Sequence, residues 1–329
     1  MNILYIIGNG FDEAQGMNTS YPDFYKYLKT LPTNDNPLLG KLINSISDKN
    51  ELWSDMEKGL GLFTKEIVNS EDFDTLYFDL SDKLQEYLKT EEDHFAPSEH
   101  SKKKFQKDIF SIRENLADSD KLRYDAFLNN IHMSASLKEV SVMTLNYTNT
   151  LEELFSVANR NFPLVYFSNY NILRKIIHIH GILDDTIILG VDNEDQIGNE
   201  NFKNNLKIKD YLIKRQSYES IKTTKHIICK NLIENANIIV LYGVSLGDTD
   251  KSWWRIIGDN LIKRNNLALI QYLYAPNTIP QTRKQKIAQL EREQQYNIMR
   301  KMDIDPSLFN ESIKERLFFV VNSKAFIDK

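Results

Sequence analysis

Aspartate, asparagine and histidine side chains occur where short apolar runs of the sequence end. Asp12 follows the first run, Asn146 follows the second and His180 follows the third. These residue types can orient a water molecule, hydrogen-bond a sugar hydroxyl and transfer a proton. We expect Asn146 and His180 to be the catalytic pair.

Glycines occupy the end of the first run as well. Gly8, Asn9 and Gly10 follow it directly. A glycine pair at the end of a strand lets backbone amides approach a phosphate, and a following helix adds its positive end. Glu13 stands at the third glycine position of the dinucleotide fingerprint, so the motif is incomplete. A tight turn with Asp12 as the helix cap is the competing interpretation.

The turn at residues 145–152 follows the second apolar run. Its asparagine and threonine side chains offer amide and hydroxyl hydrogen bonds to a sugar or a water molecule. Asn149 or Thr150 can also cap the next helix, with Glu152 in its first turn. Capping explains Asn146 less well, because Asn146 lies earlier, at the tip of the run.

Two histidines lie close together near the end of the third apolar run. His178 and His180 alternate with Ile179 and therefore point to one face of a strand. A metal ion needs at least one further ligand, and no suitably spaced histidine or cysteine supplies it, so we expect no metal. We interpret His178 as a core histidine and His180, beside Gly181, as the acid–base candidate.

The turn at residues 243–250 also follows an apolar run. Gly243, Ser245 and Gly247 have the spacing of a nucleophile elbow, but no histidine follows Ser245 in the chain. Serine catalysis therefore does not fit, and we interpret the turn as a second ligand-facing loop.

Trp53, Asp55 and Glu57 form a further cluster. Trp53 and Glu57 share a helix face, and Ser54 and Glu57 have the spacing of a capping box. Helix capping is the stronger interpretation for Ser54 and Glu57. A carboxylate on this part of the helical insertion could also cover a ligand pocket. The role of the cluster is left open.

An α/β sheet would bring these turns together. Apolar runs typical of buried strands occupy residues 2–7, 139–145, 175–179, 186–189, 238–242, 267–274 and 317–321. Helical periodicity separates them and predicts a mainly parallel sheet flanked by helices. Residues 32–137 show helical patterns and no convincing strand, so we predict an α/β domain of 1–31 and 138–329 with a helical insertion at 32–137.

Composition excludes several classes of protein. The chain has 329 residues, with 41 basic and 46 acidic side chains and a net charge of −5, which argues against a general nucleic-acid coat. The single cysteine, Cys229, excludes a disulfide framework and a multi-cysteine metal site. No run approaches the about 18 apolar residues of a membrane span, so we expect a cytoplasmic protein without a membrane partner.

The motifs together resemble the AbiH family of bacterial phage abortive-infection proteins. The matching segments are 6–12, 19–24, 53–57, 146–152, 178–181 and 243–250. Their order is also similar to that of the sirtuin-like NAD-binding domains of bacterial defence proteins. That resemblance implies a Rossmann-like, sirtuin-like fold, with Gly8 and Gly10 at the NAD diphosphate and Asn146 at the ribose or its water. It also implies His180 as the acid–base and Ser245 on the adenosine side.

This sequence departs from the sirtuin-like pattern at two points. Thr148 replaces an aspartate that often follows the Asn-Tyr pair, and the lone Cys229 leaves no zinc module, so protein deacetylation is not expected.

The leading hypothesis is an anti-phage effector that binds NAD or a related nucleotide and hydrolyses its N-glycosidic bond. The predicted ligand contacts are Gly8, Asn9, Gly10, Phe11, Asp12, Tyr147, Thr148, Gly181, Gly243, Ser245, Leu246 and Asp248. One alternative is a sensor that binds a nucleotide or a phage component without catalysis. Another is a nuclease with Asp12, Asp55, Glu57 and His180 around Mg²⁺. A phage component as trigger and a homo-oligomer are the further partners considered.

Overall fold

The computed structural model describes residues 1–33, 36–47, 55–133, 137–157, 164–274 and 282–327. Trp53 and Ser54, which belong to one of the predicted clusters, lie outside these residues. Within them, no helix is both long enough and apolar enough to cross a membrane.

Within the described residues, seven strands form one sheet at the centre of the molecule. They are β1 (Asn2–Ile7), β2 (Lys138–Thr144), β3 (Val165–Ser168), β4 (Asn171–His178), β5 (Ile238–Tyr242), β6 (Ala268–Leu273) and β7 (Leu317–Val321). Their order across the sheet is β3-β4-β2-β1-β5-β6-β7. All neighbours are parallel except β3 and β4, which are antiparallel. The mixed α/β class and the mainly parallel sheet are therefore confirmed, while the sirtuin-like form of the fold stays a prediction.

Helices connect the strands and cover the sheet. They are α1 (Gly10–Ala14), α2 (Tyr21–Leu28), α3 (Pro37–Ser47), α4 (Met56–Phe63), α5 (Ser70–Asp93), α6 (Glu99–Asp108), α7 (Asp118–Asn130), α8 (Thr150–Phe155), α9 (Glu200–Lys203), α10 (Leu206–Leu212), α11 (Lys214–Ser220), α12 (Lys225–Asn235), α13 (Lys251–Lys263), α14 (Lys284–Lys301) and α15 (Pro306–Leu308). Single 3₁₀ or π turns extend several of them.

Side-chain caps fix where several helices begin. Ser20 accepts a hydrogen bond from the Asp23 amide at the start of α2, where Pro22 occupies the first turn as the sequence predicts. Asp55 caps α4 by accepting from the Lys58 amide, so the helix begins at Met56. A cap at this position fixes the direction of α4 and the side of it on which Glu57 lies.

Three groups of buried apolar side chains hold the layers together. One face of the sheet packs against α6, α7 and α8, and the other packs against α12, α13 and α14. The third group joins α2–α5 to the segment 183–213, above the carboxyl ends of the strands. We call this third body the cap. The sheet and the cap together leave a space over the strand ends.

Sequence reasoning located most strands to within a few residues. The run 186–189 is an exception, because it forms an isolated bridge, Gly181 to Ile187, and its apolar side chains divide between two cores: Ile187 and Leu189 enter the cap core, and Ile188 packs on the α13 side of the sheet. The antiparallel edge strand β3 was not predicted, since it is short and only partly buried. Between α2 and β2 the described residues form helices only. Those helices divide between the sheet face and the cap, and the domain boundaries stay a prediction.

Candidate active site

The carboxyl ends of the strands border a cavity of about 760 Å³. Gly8 after β1, Asn146 after β2, His180 after β4 and Gly243 after β5 all line it. The chain continues from β1 to β2 on one side and returns to β5 on the other, so the cavity lies at the topological switch point of the sheet. Ligands of open α/β sheets bind at this place.

Ten of the predicted contact and catalytic residues line this cavity. They are Gly8, Asn9, Gly10, Asp12, Asn146, Tyr147, Thr148, His180, Gly243 and Ser245. The cap closes the other side with side chains from α2, α4 and α5, among them Tyr21, Glu57 and Leu88. The structure therefore gathers segments that are far apart in sequence into one cleft.

Four predicted contacts do not line the cavity, and two of them are fully buried apolar side chains. Phe11 packs edge-on against Phe105 and Tyr242, with ring centroids 5.8 and 5.6 Å away. Leu246 belongs to the apolar core on the α13 side of the sheet. Both are core residues because an apolar side chain gains most from leaving water.

The other two residues outside the cavity have local roles. The Asp248 carboxylate lies in ion pairs with Lys58, at 3.2 Å, and with Lys301. Gly181 has a φ of +88°, and a Cβ there would lie 2.0 Å from the Thr186 carbonyl oxygen. Gly181 therefore shapes the turn after β4 and leaves the ligand contact to His180.

The glycine turns pack against each other. A Cβ on Gly8 would lie 2.7 Å from the Gly243 carbonyl oxygen, and one on Gly10 would lie 2.8 Å from the Gly243 Cα. The Gly8 amide donates to Tyr242, the Gly10 amide to Gly243 and the Phe11 amide to Gly8. The glycines thus let the tips of β1 and β5 touch, and these three amides are not free for a phosphate.

The first buried polar group at the cavity lies at the carboxyl ends of β1, β2 and β4 and in the helices α1 and α8. We call it the Asp12 cluster; its members are Asp12, Asn146, Thr148, Thr150, Glu152 and His178. The Thr148 hydroxyl donates to Asp12 Oδ2 at 2.6 Å, and the Thr150 hydroxyl donates to Thr148 at 3.0 Å. Asp12 lies within α1, and Asn9 is the residue at its N-cap, so the alternative interpretation of Asp12 as a cap is wrong.

Three polar atoms of this cluster have no hydrogen-bond partner among the described residues: Asp12 Oδ1, Asn146 Nδ2 and Glu152 Oε2. Those of Asp12 and Asn146 are an acceptor and a donor. Asp12 is 1% exposed and Asn146 is 7% exposed, and both residues line the cavity. Burial raises the pKa of Asp12 to about 6, although Thr148, Thr150 and Asn146 oppose the increase. Asn146 Nδ2 is thus near the Asp12 carboxyl group without forming a hydrogen bond of normal geometry to it. Unpaired buried polar groups are rare in native proteins, and these two are suited to a bound ligand or water molecule.

His178 anchors the Asp12 cluster from behind. Its Nδ1 donates to the Asn146 carbonyl oxygen at 2.9 Å, and its Nε2 lies 3.0 Å from Glu152 Oε1. Because Nδ1 must donate to a carbonyl, one proton has to lie between Nε2 and the Glu152 carboxyl. This satisfied, buried histidine agrees with the sequence interpretation. Glu152 pairs with His178, in addition to its place in the first turn of α8.

The second buried polar group joins the cap to the sheet. We call it the Lys214 cluster; its members are Glu57, His180, Lys214, Tyr218 and Asp250. The Lys214 ammonium lies 2.8 Å from Glu57 Oε2 and 3.0 Å from Asp250 Oδ1. The Gly190 amide donates to Glu57 Oε1 at 3.2 Å. Glu57 from α4 is thus tied to residues on the other side of the cleft.

His180 is held by two members of the same cluster. Its Nδ1 lies 3.1 Å from the Tyr218 hydroxyl oxygen, and its Nε2 lies 2.9 Å from Asp250 Oδ1 at an unfavourable angle. Burial and the Lys214 charge lower its pKa, so the imidazole is neutral at pH 7. Nδ1 is thus hydrogen-bonded to Tyr218, whereas Nε2 has no hydrogen bond of normal geometry among the described residues.

The carboxyl groups of the Lys214 cluster have unequal acidities. Burial raises the pKa of Glu57 to about 7, against the attraction of Lys214. Lys214 and His180 outweigh burial at Asp250 and hold its pKa well below the usual range. Burial lowers the pKa of Lys214, but Asp250 and Glu57 reverse this and raise it overall. The ammonium therefore remains charged and is shared between two carboxyl groups.

A comparison with protein families identifies the chain. The family model for bacteriophage abortive infection AbiH matches residues 4–272. The chain belongs to the AbiH family. This confirms the resemblance seen in the sequence motifs and gives the protein a role in bacteriophage abortive infection. No curated protein matches the chain.

Carboxyl groups are the charged side chains among the described residues that line the cavity of this AbiH protein. Those that line it belong to Asp12, Glu13, Asp55, Glu57 and Asp250. No lysine or arginine is among the described lining residues. Nor do any three His, Cys, Asp or Glu side chains of the described residues form a group able to hold a metal ion. The ammonium of Lys214 occupies the space between Glu57 and Asp250.

Sequence reasoning missed part of this AbiH site. Lys214 and Tyr218 were not singled out, because neither follows a predicted strand and no local motif surrounds them. Asp250 was noted within a motif but not as a site residue. Lys214 follows the apolar pair 212–213 and precedes Arg215, and this local pattern predicts neither burial nor a partner.

Proposed function

We propose that this AbiH protein hydrolyses the N-glycosidic bond of NAD or a related nucleotide during phage defence. One observation carries the proposal: Asp12 Oδ1 and Asn146 Nδ2 are buried, unpartnered and at the same cavity. An acceptor beside a donor can hold one water molecule, with the acceptor taking its proton.

The reaction requires few groups from the protein. Water attacks the anomeric carbon while the bond to nicotinamide breaks, and the bond's electron pair leaves with the ring as neutral nicotinamide. The sugar passes through an oxocarbenium-like state, which nearby carboxylates stabilise. Asp12 accepts the proton of the water, and Asn146 orients that water or the ribose.

Asp12 is a better proton acceptor than His180 in this geometry. Its pKa of about 6 makes it ionised and basic at neutral pH. The nitrogens of His180 face Tyr218 and Asp250 instead. We therefore assign proton transfer to Asp12, and we assign to His180 the positioning of the cavity wall.

The phosphates of a nucleotide require a separate place. The amides of Gly8, Gly10 and Phe11 already donate to carbonyl groups, and the described lining residues include no lysine or arginine. We therefore propose that the ribosyl end enters the cavity and that the phosphates remain at its open end.

Purified protein incubated with NAD tests the function, with released nicotinamide measured by chromatography. Asn146→Ala should abolish release. Asn237 is a matched control, because it is equally buried, at 7% exposed, but precedes β5 at the opposite end of the sheet. Asn237→Ala should lower stability while the folded fraction keeps its turnover.

Three outcomes separate the candidates. Release that depends on Asn146 but not on Asn237 supports the hydrolase. Retention of NAD without release, by calorimetry, indicates the non-catalytic sensor instead. Absence of both binding and release, also in the presence of phage components, refutes nucleotide recognition.

A further inference from the structure

The charged side chains among the described residues that line the cavity are all acidic. Asp55 and Glu57 from the cap and Asp12 and Asp250 from the strand ends contribute carboxyl groups to its wall. The nearest buried ammonium, Lys214, does not line the cavity and is already shared between Glu57 and Asp250. A ligand in this half of the cavity therefore meets negative charge that protein cations do not fully balance.

The pKa values of Asp55 and Glu57 are raised in the way that this excess of negative charge predicts. Burial raises the pKa of Asp55, and the neighbouring Asp250 raises it further, although Lys58 and Lys214 oppose them. Asp250 and Asp55 also add to the effect of burial on the pKa of Glu57. Mutual repulsion of this kind is relieved when a cation enters.

A second observation marks this acidic half as a ligand site. The unpartnered Asp12 Oδ1 and Asn146 Nδ2 belong to side chains that are more than nine-tenths buried and that line the cavity. A carboxylate acceptor beside an amide donor matches a sugar hydroxyl, which both donates and accepts. The same cavity thus offers hydrogen bonds for a sugar together with uncompensated negative charge.

We propose that the acidic half of the cavity selects a cationic N-ribosyl group, so that it binds the pyridinium form of a nicotinamide nucleotide in preference to the uncharged dihydropyridine form. The inference rests on the proposed function and adds the charge of the substrate to it. A metal ion would also neutralise these carboxyl groups, but the Lys214 ammonium already lies between Glu57 and Asp250.

Carba-NAD tests the selectivity without turnover. A methylene replaces the ribose ring oxygen in this analogue, so the bond to the pyridinium resists hydrolysis. Its oxidised and reduced forms differ in the charge of the ring, and calorimetry at low ionic strength gives both affinities. We expect the oxidised form to bind about tenfold more tightly or better, since unscreened charge interactions of this kind are strong in a partly buried site.

Asp55→Asn removes one charge without removing the helix cap, because asparagine caps as well as aspartate. It should lower the ratio of the two affinities about threefold, mainly by weakening the oxidised form. Asp305 is a matched control, since it also caps a helix, α15, and is not among the residues that line the cavity. Asp305→Asn should leave the ratio unchanged.

The outcomes distinguish this inference from the proposed function. Equal affinities for the two forms overturn the inference, and so does an equal ratio in Asp55→Asn and Asp305→Asn. Release of nicotinamide from NAD, measured separately, supports the hydrolase proposal whether or not the two affinities differ. A charge-dependent ratio without nicotinamide release supports the inference and refutes the hydrolase. Binding of neither form overturns both.

Discussion

The Lys214 cluster and the Asp12 cluster lie at the same edge of the sheet, but they satisfy their carboxyl groups differently. In the Lys214 cluster an ammonium lies within 3.0 Å of both Glu57 and Asp250. In the Asp12 cluster the carboxyl groups meet hydroxyls and an imidazole, and Asp12 Oδ1 has no partner. A charge met by an opposite charge is suited to holding two bodies together. A polar atom left unpaired in a cavity is suited to binding and reaction.

The largest expected effect comes from Lys214→Met. It leaves Glu57 and Asp250 buried without their counter-ion, and breaking such a pair costs about 3–5 kcal/mol of unfolding free energy. Urea unfolding measures the loss. Lys203→Met, which removes the partly buried partner of the exposed Glu200, should cost less than about 1 kcal/mol.

A second variant keeps this prediction testable if Lys214→Met does not fold. Combining it with Glu57→Gln and Asp250→Asn removes the stranded charges, so the triple variant should be more stable than the single one. Equal stability of Lys214→Met and Lys203→Met would show that the Lys214 cluster does not hold the cap.

Asp12→Asn should separate reactivity from stability. Nicotinamide release should fall about 100-fold or more, because general-base catalysis contributes on this scale. The fold should persist, since asparagine can still accept from Thr148. Asp108→Asn is the control: Asp108 accepts from the Phe326 amide and is not among the lining residues. An active, correctly folded Asp12→Asn protein would contradict the assignment of Asp12.

The pH dependence of nicotinamide release should follow the titration of Asp12. With a pKa of about 6, Asp12 loses its proton-accepting form below that pH. The value of kcat/KM should therefore fall about tenfold per pH unit below 6 and level off above it.

The contribution of Asp12 to the free energy of unfolding should fall as pH rises, whereas its contribution to activity should increase. Because the folded-state pKa of Asp12 is raised from 3.8 to about 6, its contribution is most favourable below pH 3.8 and declines as pH rises to about 6. Asp12→Asn should remove that slope from the unfolding free energy. A slope that survives the substitution would assign the titration to another group, such as Glu57.

The smallest effect is expected behind the Asp12 cluster. Glu152→Gln weakens the contact with His178 and should cost about 1 kcal/mol of unfolding free energy, with a smaller loss of nicotinamide release than Asp12→Asn. Glu153→Gln, at an exposed neighbouring position of α8, should change neither quantity. A loss of nicotinamide release as large as that of Asp12→Asn would indicate that Glu152 takes part in the reaction.

Local patterns were sufficient to predict the elements of the sheet. The strands β1, β5 and β7 follow the predicted bounds, because apolar runs buried on both faces have few other stable arrangements. The prediction of a strand at 186–189 failed for the same reason: Ile187 and Leu189 are buried in the cap and Ile188 is buried on the α13 side of the sheet, and periodicity does not show which body buries an apolar side chain.

The Asp12 cluster could be anticipated because strand ends locate it. Parallel strands bring their carboxyl ends to one edge, so Asp12 and Asn146 were expected to be close. The Lys214 cluster could not be anticipated. Glu57 and Lys214 are 157 positions apart, and the contact depends on how the cap docks on the sheet.

The sequence by itself determined the α/β class, the turns after the strands and membership of the AbiH family, since apolar periodicity and short motifs are local properties of the chain. The tertiary structure decided which polar groups meet. It uses Gly8 and Gly10 for contact with Gly243, it places His180 between Tyr218 and Asp250, and it leaves Asp12 and Asn146 each with an unpaired atom. Partnership in a buried site depends on distances and angles across the fold, and residue spacing does not encode them.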